Sequence, residues 1–184
     1  MSQAPGPLVV LVGAMGAGKT TVGRRLALRW RVGFRDTDLD VQDAERRTVS
    51  DIFVDEGEAY FREREHDALR VALETHAGVL AIGGGAVIDP RNRALLRDHL
   101  VVFLQVGLAD AAARVGLGQG RPMLLGNVRS RMKSLLDERL PLYLEVADVH
   151  VATDGLAVDE VVEEVDRAVM AHMRAHAGDE EPGR

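Results

Sequence analysis

The chain has 184 residues, 23 of them basic and 29 acidic, for a net charge of −6. This length suits one domain with a sizeable core, and the negative balance argues against general affinity for nucleic acid. The absence of cysteine removes disulfide scaffolds and thiolate metal sites and fits a reducing compartment.

No apolar run approaches the roughly 18 residues of a membrane span. The first one, Leu8 to Val12, is too short for the apolar region of a signal peptide and follows no basic residue. The expectation is a cytoplasmic protein with neither nucleic-acid nor membrane partners. A monomer is expected, because the chain is small and no exposed apolar seam is evident.

Leu8 to Val12 is a continuous apolar run rich in β-branched residues, the pattern of a strand buried on both faces. Within Thr20 to Trp30, Val22, Leu26 and Ala27 fall at helical spacing. A short strand is predicted at Val32 to Asp36, then polar helix from Leu39 to about Arg46. Ser50 is placed to cap a turn over Asp51 to Val54, and Glu58 to about His76 reads as the longest helix. Gly78 to Ile82 is a second buried strand that ends abruptly in Gly83-Gly84-Gly85. Pro90 stands where the first turn of a short helix begins.

Leu100 to Val106 predicts a strand and Leu108 to Val115 a helix. The glycine-rich segment 116–125 reads as a mobile loop. Asn127 to Leu140 is helical, with Pro141 disturbing its end, Val149 to Ala152 forms a last strand, and Val158 to about Ala175 is a closing helix. Short tails, 1–7 and 177–184, flank a single domain at 8–176. Such alternation specifies an α/β protein, a three-layer arrangement with a mainly parallel five-stranded sheet and helices on both faces.

Gly13-Ala14-Met15-Gly16-Ala17-Gly18-Lys19-Thr20 matches the P-loop pattern at all four constrained positions. Its glycines let backbone N–H groups turn inward around phosphate oxygens. Lys19 supplies a point charge between the β- and γ-phosphates, and the Thr20 hydroxyl ligates Mg²⁺. Only Lys19 and Lys133 are lysines; every other basic residue is arginine. The motif follows a buried strand and opens a helix, which aims a helix N-terminus at the anion. Nucleotide binding follows.

The Asn-Lys-x-Asp sequence that reads guanine is missing, and the strand ending at Ile82 runs into glycines rather than an acidic residue. A second carboxylate for the metal therefore has to come from elsewhere. Asp36-Thr37-Asp38 is the candidate, because residues i and i+2 of extended chain face one side. One carboxylate can hold a metal-bound water while the other reaches a substrate hydroxyl. Capping of the following helix is the alternative.

Some groups also have plain structural readings. Arg62, with Glu58 four residues before and Glu65 three after, reads by itself as a surface ion pair. Arg139 can complement a helix dipole, and Phe53 and Phe61 can be core. Gly83 to Gly85 can be an ordinary turn. His172 and His176 are four residues apart without a third ligand, which suits a solvated helix face.

Taken in order, the P-loop ending Gly-Ala-Gly-Lys-Thr-Thr, Asp36-Thr37-Asp38, Gly57-Glu58 with Phe61-Arg62, Gly83-Gly84-Gly85, Arg121-Pro122 and Arg139-x-Pro141-x-Tyr143 resemble the shikimate kinase family, from about Leu8 to beyond Tyr143. The resemblance implies phosphorylation of the 3-hydroxyl of shikimate by ATP with Mg²⁺, in the route to chorismate and the aromatic amino acids. It implies that Asp38 binds the shikimate hydroxyls and that Arg62 and Arg139 hold its carboxylate, helped by the turn Gly83, Gly84 and Gly85. Phe53 and Phe61 would wall the pocket, and Asp36 would join Thr20 around the metal.

The nucleotide would lie on Gly13, Gly16, Ala17, Gly18, Lys19, Thr20 and Thr21, with Arg114 stacked on adenine and Arg121 on a lid over the phosphates. Lys19, Asp38 and Arg121 would be the catalytic set. Paired guanidinium forks suit a planar carboxylate, and phosphoryl transfer needs positioning and positive charge more than covalent help. Whether Asp38 acts as base or only aims the hydroxyl stays open at this level.

Two rivals remain. A gluconate kinase would show His-Pro-x-x-Asn, and an adenylate-kinase-like enzyme Asp-Gly-Phe-Pro-Arg; neither sequence is present. A catalytically silent ATP-binding module is the alternative from another class.

Overall fold

The computed structural model describes residues 6–115 and 122–177, with side chains of 122–127 and 177 left aside. Five strands, β1 (Val9–Val12), β2 (Gly33–Asp36), β3 (Gly78–Ala81), β4 (Val101–Gln105) and β5 (Val149–Ala152), form one sheet in the order β2-β3-β1-β4-β5. Every pairing is parallel. The helices are α1 (Lys19–Trp30), α2 (Thr37–Glu45), α3 (Val49–Asp55), α4 (Glu58–Thr75), α5 (Pro90–Leu96), α6 (Leu108–Arg114), α7 (Pro122–Val146) and α8 (Val158–Ala177), with a 3-10 turn at Ala86–Ile88.

Burial along the strands follows their place in the sheet. The inner strand β1 is fully buried at all four positions, and β3 likewise, as a parallel strand covered on both faces must be. The edge strands break that pattern: β5 alternates between buried and exposed, and β2 is buried only at Asp36. Each fully buried Val or Leu contributes about 1.5–3 kcal/mol against its exposed state.

The chain leaves β1 for the far edge, returns to β3 beside it, then crosses to β4 on its other flank. The carboxyl end of β1 thus sits at the topological switch point of the sheet, where open α/β sheets hold their ligands.

Several helix boundaries differ from the sequence expectation. Helix α2 begins at Thr37 rather than Leu39, so Asp38 lies in its first turn and not in extended chain, because Asp36 caps the helix by accepting from the Asp38 amide. Helix α3 is capped by Thr48, not Ser50: the Thr48 hydroxyl accepts from the Asp51 amide while Asp51 accepts from the Thr48 amide, a reciprocal capping box. The longest helix is α7, at 25 residues against 18 for α4. It begins at Pro122, within the segment read as loop, and passes through Pro141. An interior proline costs about 3 kcal/mol or more; beyond it Leu142, Tyr143 and Val146 pack on the core, and that burial holds the last turns helical. Residues 116–121, including Arg121, lie outside the described residues.

Candidate active site

Gly16 and Gly18 take φ of 83° and 88°, the left-handed region that favours glycine, and so bend the chain from β1 into α1. Gly18 caps α1 without a side-chain acceptor for its first amides, which leaves that helix end with donors free for an anion. Lys19 Nζ donates to the carbonyls of Gly13, at 2.7 Å, and Ala14, at 3.1 Å. Burial lowers its pKa from the usual lysine value, against the pull of Asp38 and Asp36.

Asp36, at the end of β2, caps the next helix and also reaches the phosphate loop. One oxygen caps α2, accepting from the Asp38 amide at 3.1 Å. The other accepts from the Thr20 hydroxyl at 2.7 Å. Two hard oxygen groups therefore meet beside the phosphate loop, and their chemistry fits Mg²⁺, which keeps several waters and takes few protein ligands. Asp38, one helical step on, faces the same cleft. Burial raises its carboxyl pKa and nearby Asp36 adds to the rise, while Lys19 and Arg62 oppose it.

The turn after β3 is where the surrounding groups meet. A Cβ on Gly83 would collide with Glu65 and Asp38, and one on Gly85 with the Arg62 guanidinium. A Cβ on Gly84 would stand 3.3 Å from the Gly13 carbonyl and 3.4 Å from the Met15 amide. A side chain at Gly83 or Gly85 would thus displace the carboxylates or the guanidinium that face the cleft, and one at Gly84 would press on the backbone of the phosphate loop. The Gly83 amide donates to the buried Thr37 hydroxyl at 3.2 Å.

Helix α4 presents Arg62 and Glu65 to this turn. Arg62 donates to Glu65 at 2.7 Å and to Glu58 at 3.0 Å, so it forms the ion pairs read from the sequence and lines the cleft as well. Its guanidinium lies 5.8 Å and 5.5 Å from the ring centroids of Phe53 and Phe61, which are 4.6 Å apart. Glu65 is only 1% exposed, and burial raises its pKa despite the Arg62 partner. Burial by itself would lower the Arg62 pKa, but Glu65 and Glu58 outweigh it and hold the value above the ordinary one. Arg139, on α7, donates to the Gly84 carbonyl at 3.4 Å, and Tyr143, one turn later, donates to the same oxygen at 2.5 Å.

At the other end, Arg114 donates to the Thr153 carbonyl at 2.7 Å, the Thr153 hydroxyl at 3.0 Å and the Gly16 carbonyl at 3.2 Å. It ties the phosphate loop to the segment after β5.

One cleft of about 870 Å³ joins these groups. It is lined by Gly16, Ala17, Gly18, Lys19, Thr20 and Thr21 along the loop, by Asp36, Asp38, Phe53, Phe61, Arg62, Gly84, Gly85 and Arg139 towards the turn, and by Arg114 at the far end. Gly13 and Gly83 stand behind this lining, Gly13 as acceptor for Lys19 and Gly83 against Asp38. Sequence reasoning passed over Glu65 as a site residue. Its spacing from Arg62 was visible, but its burial is a product of the fold.

A family model described as shikimate kinase matches residues 15–170. The shikimate kinase of Frankia casuarinae is 57% identical over 156 residues, covering 85% of this chain and 69% of that protein. That of Thermobifida fusca is 51% identical, covering 85% and 91%. The structure of shikimate kinase from Acinetobacter baumannii in complex with shikimate superposes with a TM-score of 0.83 at 34% identity, covering 92% of this chain and 95% of that one.

The chain belongs to the shikimate kinase family.

Shikimate kinases are phosphotransferases that use ATP, with Mg²⁺, to phosphorylate a hydroxyl of shikimate, and the all-parallel sheet with its phosphate loop at the switch point is the matching P-loop kinase fold. No described helix is long and apolar enough to cross a membrane.

Proposed function

We propose that the cleft transfers the γ-phosphoryl group of ATP to the 3-hydroxyl of shikimate, with the two substrates entering from opposite ends. The observation that carries this division is the convergence of Arg62, Arg139, Asp38 and the glycine turn at one end of a cleft that runs past the phosphate loop to Arg114. Gly16 to Thr21 cradle the phosphates, and Lys19 leaves its two carbonyl acceptors for the β- and γ-oxygens. Thr20 and Asp36 would hold Mg²⁺, which would neutralise charge on the phosphate oxygens.

Arg62 and Arg139 fix the carboxylate of shikimate by charge-assisted contacts. Asp38 accepts from the attacking hydroxyl and keeps it in line with the γ-phosphorus. Phe53 and Phe61 wall the ring, and Arg114 with the segment at Thr153 borders the adenine. Arg121, outside the described residues, is proposed to add positive charge at the phosphates.

The protein is proposed to act as a monomer in the cytoplasm, as a single domain over 8–176, without nucleic-acid or membrane partners. The test is ADP release with Mg-ATP alone, and then with shikimate, gluconate or AMP. Stimulation by shikimate and not by the others is the expected result. Stimulation by another acceptor overturns the pocket assignment, and none from any acceptor favours a silent ATP-binding module.

A further inference from the structure

Tyr143 lies on α7 and is only 2% exposed. Its ring stacks on Phe103 of β4, centroids 5.0 Å apart, and Phe103 in turn stacks on His150 of β5 at 5.1 Å. The side chain is thus clamped at its apolar body, and only its hydroxyl is directed to a polar partner, the Gly84 carbonyl at 2.5 Å. Burial pushes its pKa up to about 12, so the hydroxyl is a neutral donor throughout the working range of pH. Arg139, four residues earlier on the same helix, reaches the same oxygen at 3.4 Å, a long contact that leaves Tyr143 as the principal anchor.

A peptide unit is planar, with its C=O and the next N–H pointing opposite ways. Holding the Gly84 carbonyl therefore sets the plane of the 84–85 peptide and the direction of the Gly85 amide. Both glycines line the cleft, and among the described residues neither amide has a backbone acceptor. Glycine is the residue least able to keep such a plane by itself, because it has no side chain to restrict its dihedrals. An anchored carbonyl removes that freedom.

We propose that Tyr143 is a positioning residue for the acceptor substrate: its hydroxyl locks the glycine turn so that the turn's backbone donors face the carboxylate of shikimate. This rests on the reading above, in which Arg62, Arg139 and the turn receive that carboxylate. Tyr143 itself does not touch the substrate; it acts through the turn.

Tyr143→Phe removes the hydroxyl and keeps the stacked ring. The measurement is kcat/KM for shikimate and for its primary-alcohol analogue, in which the carboxylate is reduced to CH₂OH, in wild type, Tyr143→Phe and Arg62→Ala. Calorimetric affinity for Mg-ATP is measured alongside. In Tyr143→Phe, kcat/KM for shikimate should fall about 5–30-fold, mostly through KM. The alcohol's value and the Mg-ATP affinity should each change by less than about twofold.

Equal losses for shikimate, the alcohol and Mg-ATP would reduce Tyr143 to a core residue and overturn the proposal. Because the carboxylate-to-alcohol ratio is taken within one variant, a partly unfolded sample leaves it unchanged. If Arg62→Ala lowers the shikimate value and Tyr143→Phe does not, the positioning role fails while the pocket stands. If neither variant affects shikimate, the carboxylate reading itself falls.

Discussion

Asp38 is placed at some cost to the native state. Burial and the neighbouring Asp36 disfavour its charged form, and Lys19 and Arg62 only partly compensate. A carboxyl whose pKa is raised by folding stabilises the native state fully below the unfolded value, about 3.9, and that contribution is lost as pH rises through the raised native value. Asp38→Asn should therefore raise the thermal midpoint at pH 7, with the difference closing below about pH 4. In the same variant kcat should fall by about 10²–10⁴-fold with Mg-ATP affinity retained. Calorimetric melting at both pH values and steady-state kinetics check this; near-normal turnover would remove Asp38 from the reaction. In the free enzyme the raised pKa should move the acid limb of kcat/KM for shikimate upward from the usual carboxylate range, which a pH profile of kcat/KM reads. Asp38 stands out in the sequence through i, i+2 spacing in extended chain, yet it lies in the first turn of α2 with Asp36 capping that helix, and both carboxylates still line one cleft. The burial of Glu65 was not legible, since the collision surface that encloses it comes from Gly83, eighteen residues away in the chain and brought over by β3.

Helix α3 has only seven residues, too few to hold itself in water, yet it carries Phe53 to the cleft and buries Ile52 completely. Its capping box at Thr48 and Asp51 supplies part of what its length cannot. Thr48→Ala should lower stability by about 1 kcal/mol, seen as a drop of about 2–4 °C in the melting temperature. The shikimate KM should rise modestly, because Phe53 loses its rigid seat, and the ATP KM should not change. A rise in both KM values would mean that α3 supports the whole cleft rather than one wall. The cap was within reach of sequence reasoning, since Thr48 precedes Asp51 at the spacing of a capping box. Ser50 offers the same hydroxyl, but the residue three positions on is Phe53, which cannot reciprocate. The passage of α7 through Pro141 was out of reach: the proline was visible, while the core contacts of Leu142, Tyr143 and Val146 that outweigh it are tertiary.

Across the molecule, alternating buried strands and helices disclosed the fold class, because each strand's covering dictates its hydrophobic pattern. Strand order was not disclosed: nothing in the runs themselves says that β3 enters between β1 and β2. The scarcity of lysine has a consequence on this scale. Besides the terminal amine, the chain carries two primary amines. One, Lys133, is exposed and paired with Asp137. The other, Lys19, lines the cleft with its ammonium pKa lowered by burial, which enlarges the unprotonated, nucleophilic fraction at neutral pH. An amine-acylating reagent followed by peptide mass spectrometry should mark both side chains, and Mg-ATP should shield Lys19 alone. Labelling of Lys19 unchanged by saturating Mg-ATP would contradict its place at the phosphates. For covalent chemistry directed at side-chain amines, the protein thus offers one target in the cleft and one internal standard outside it.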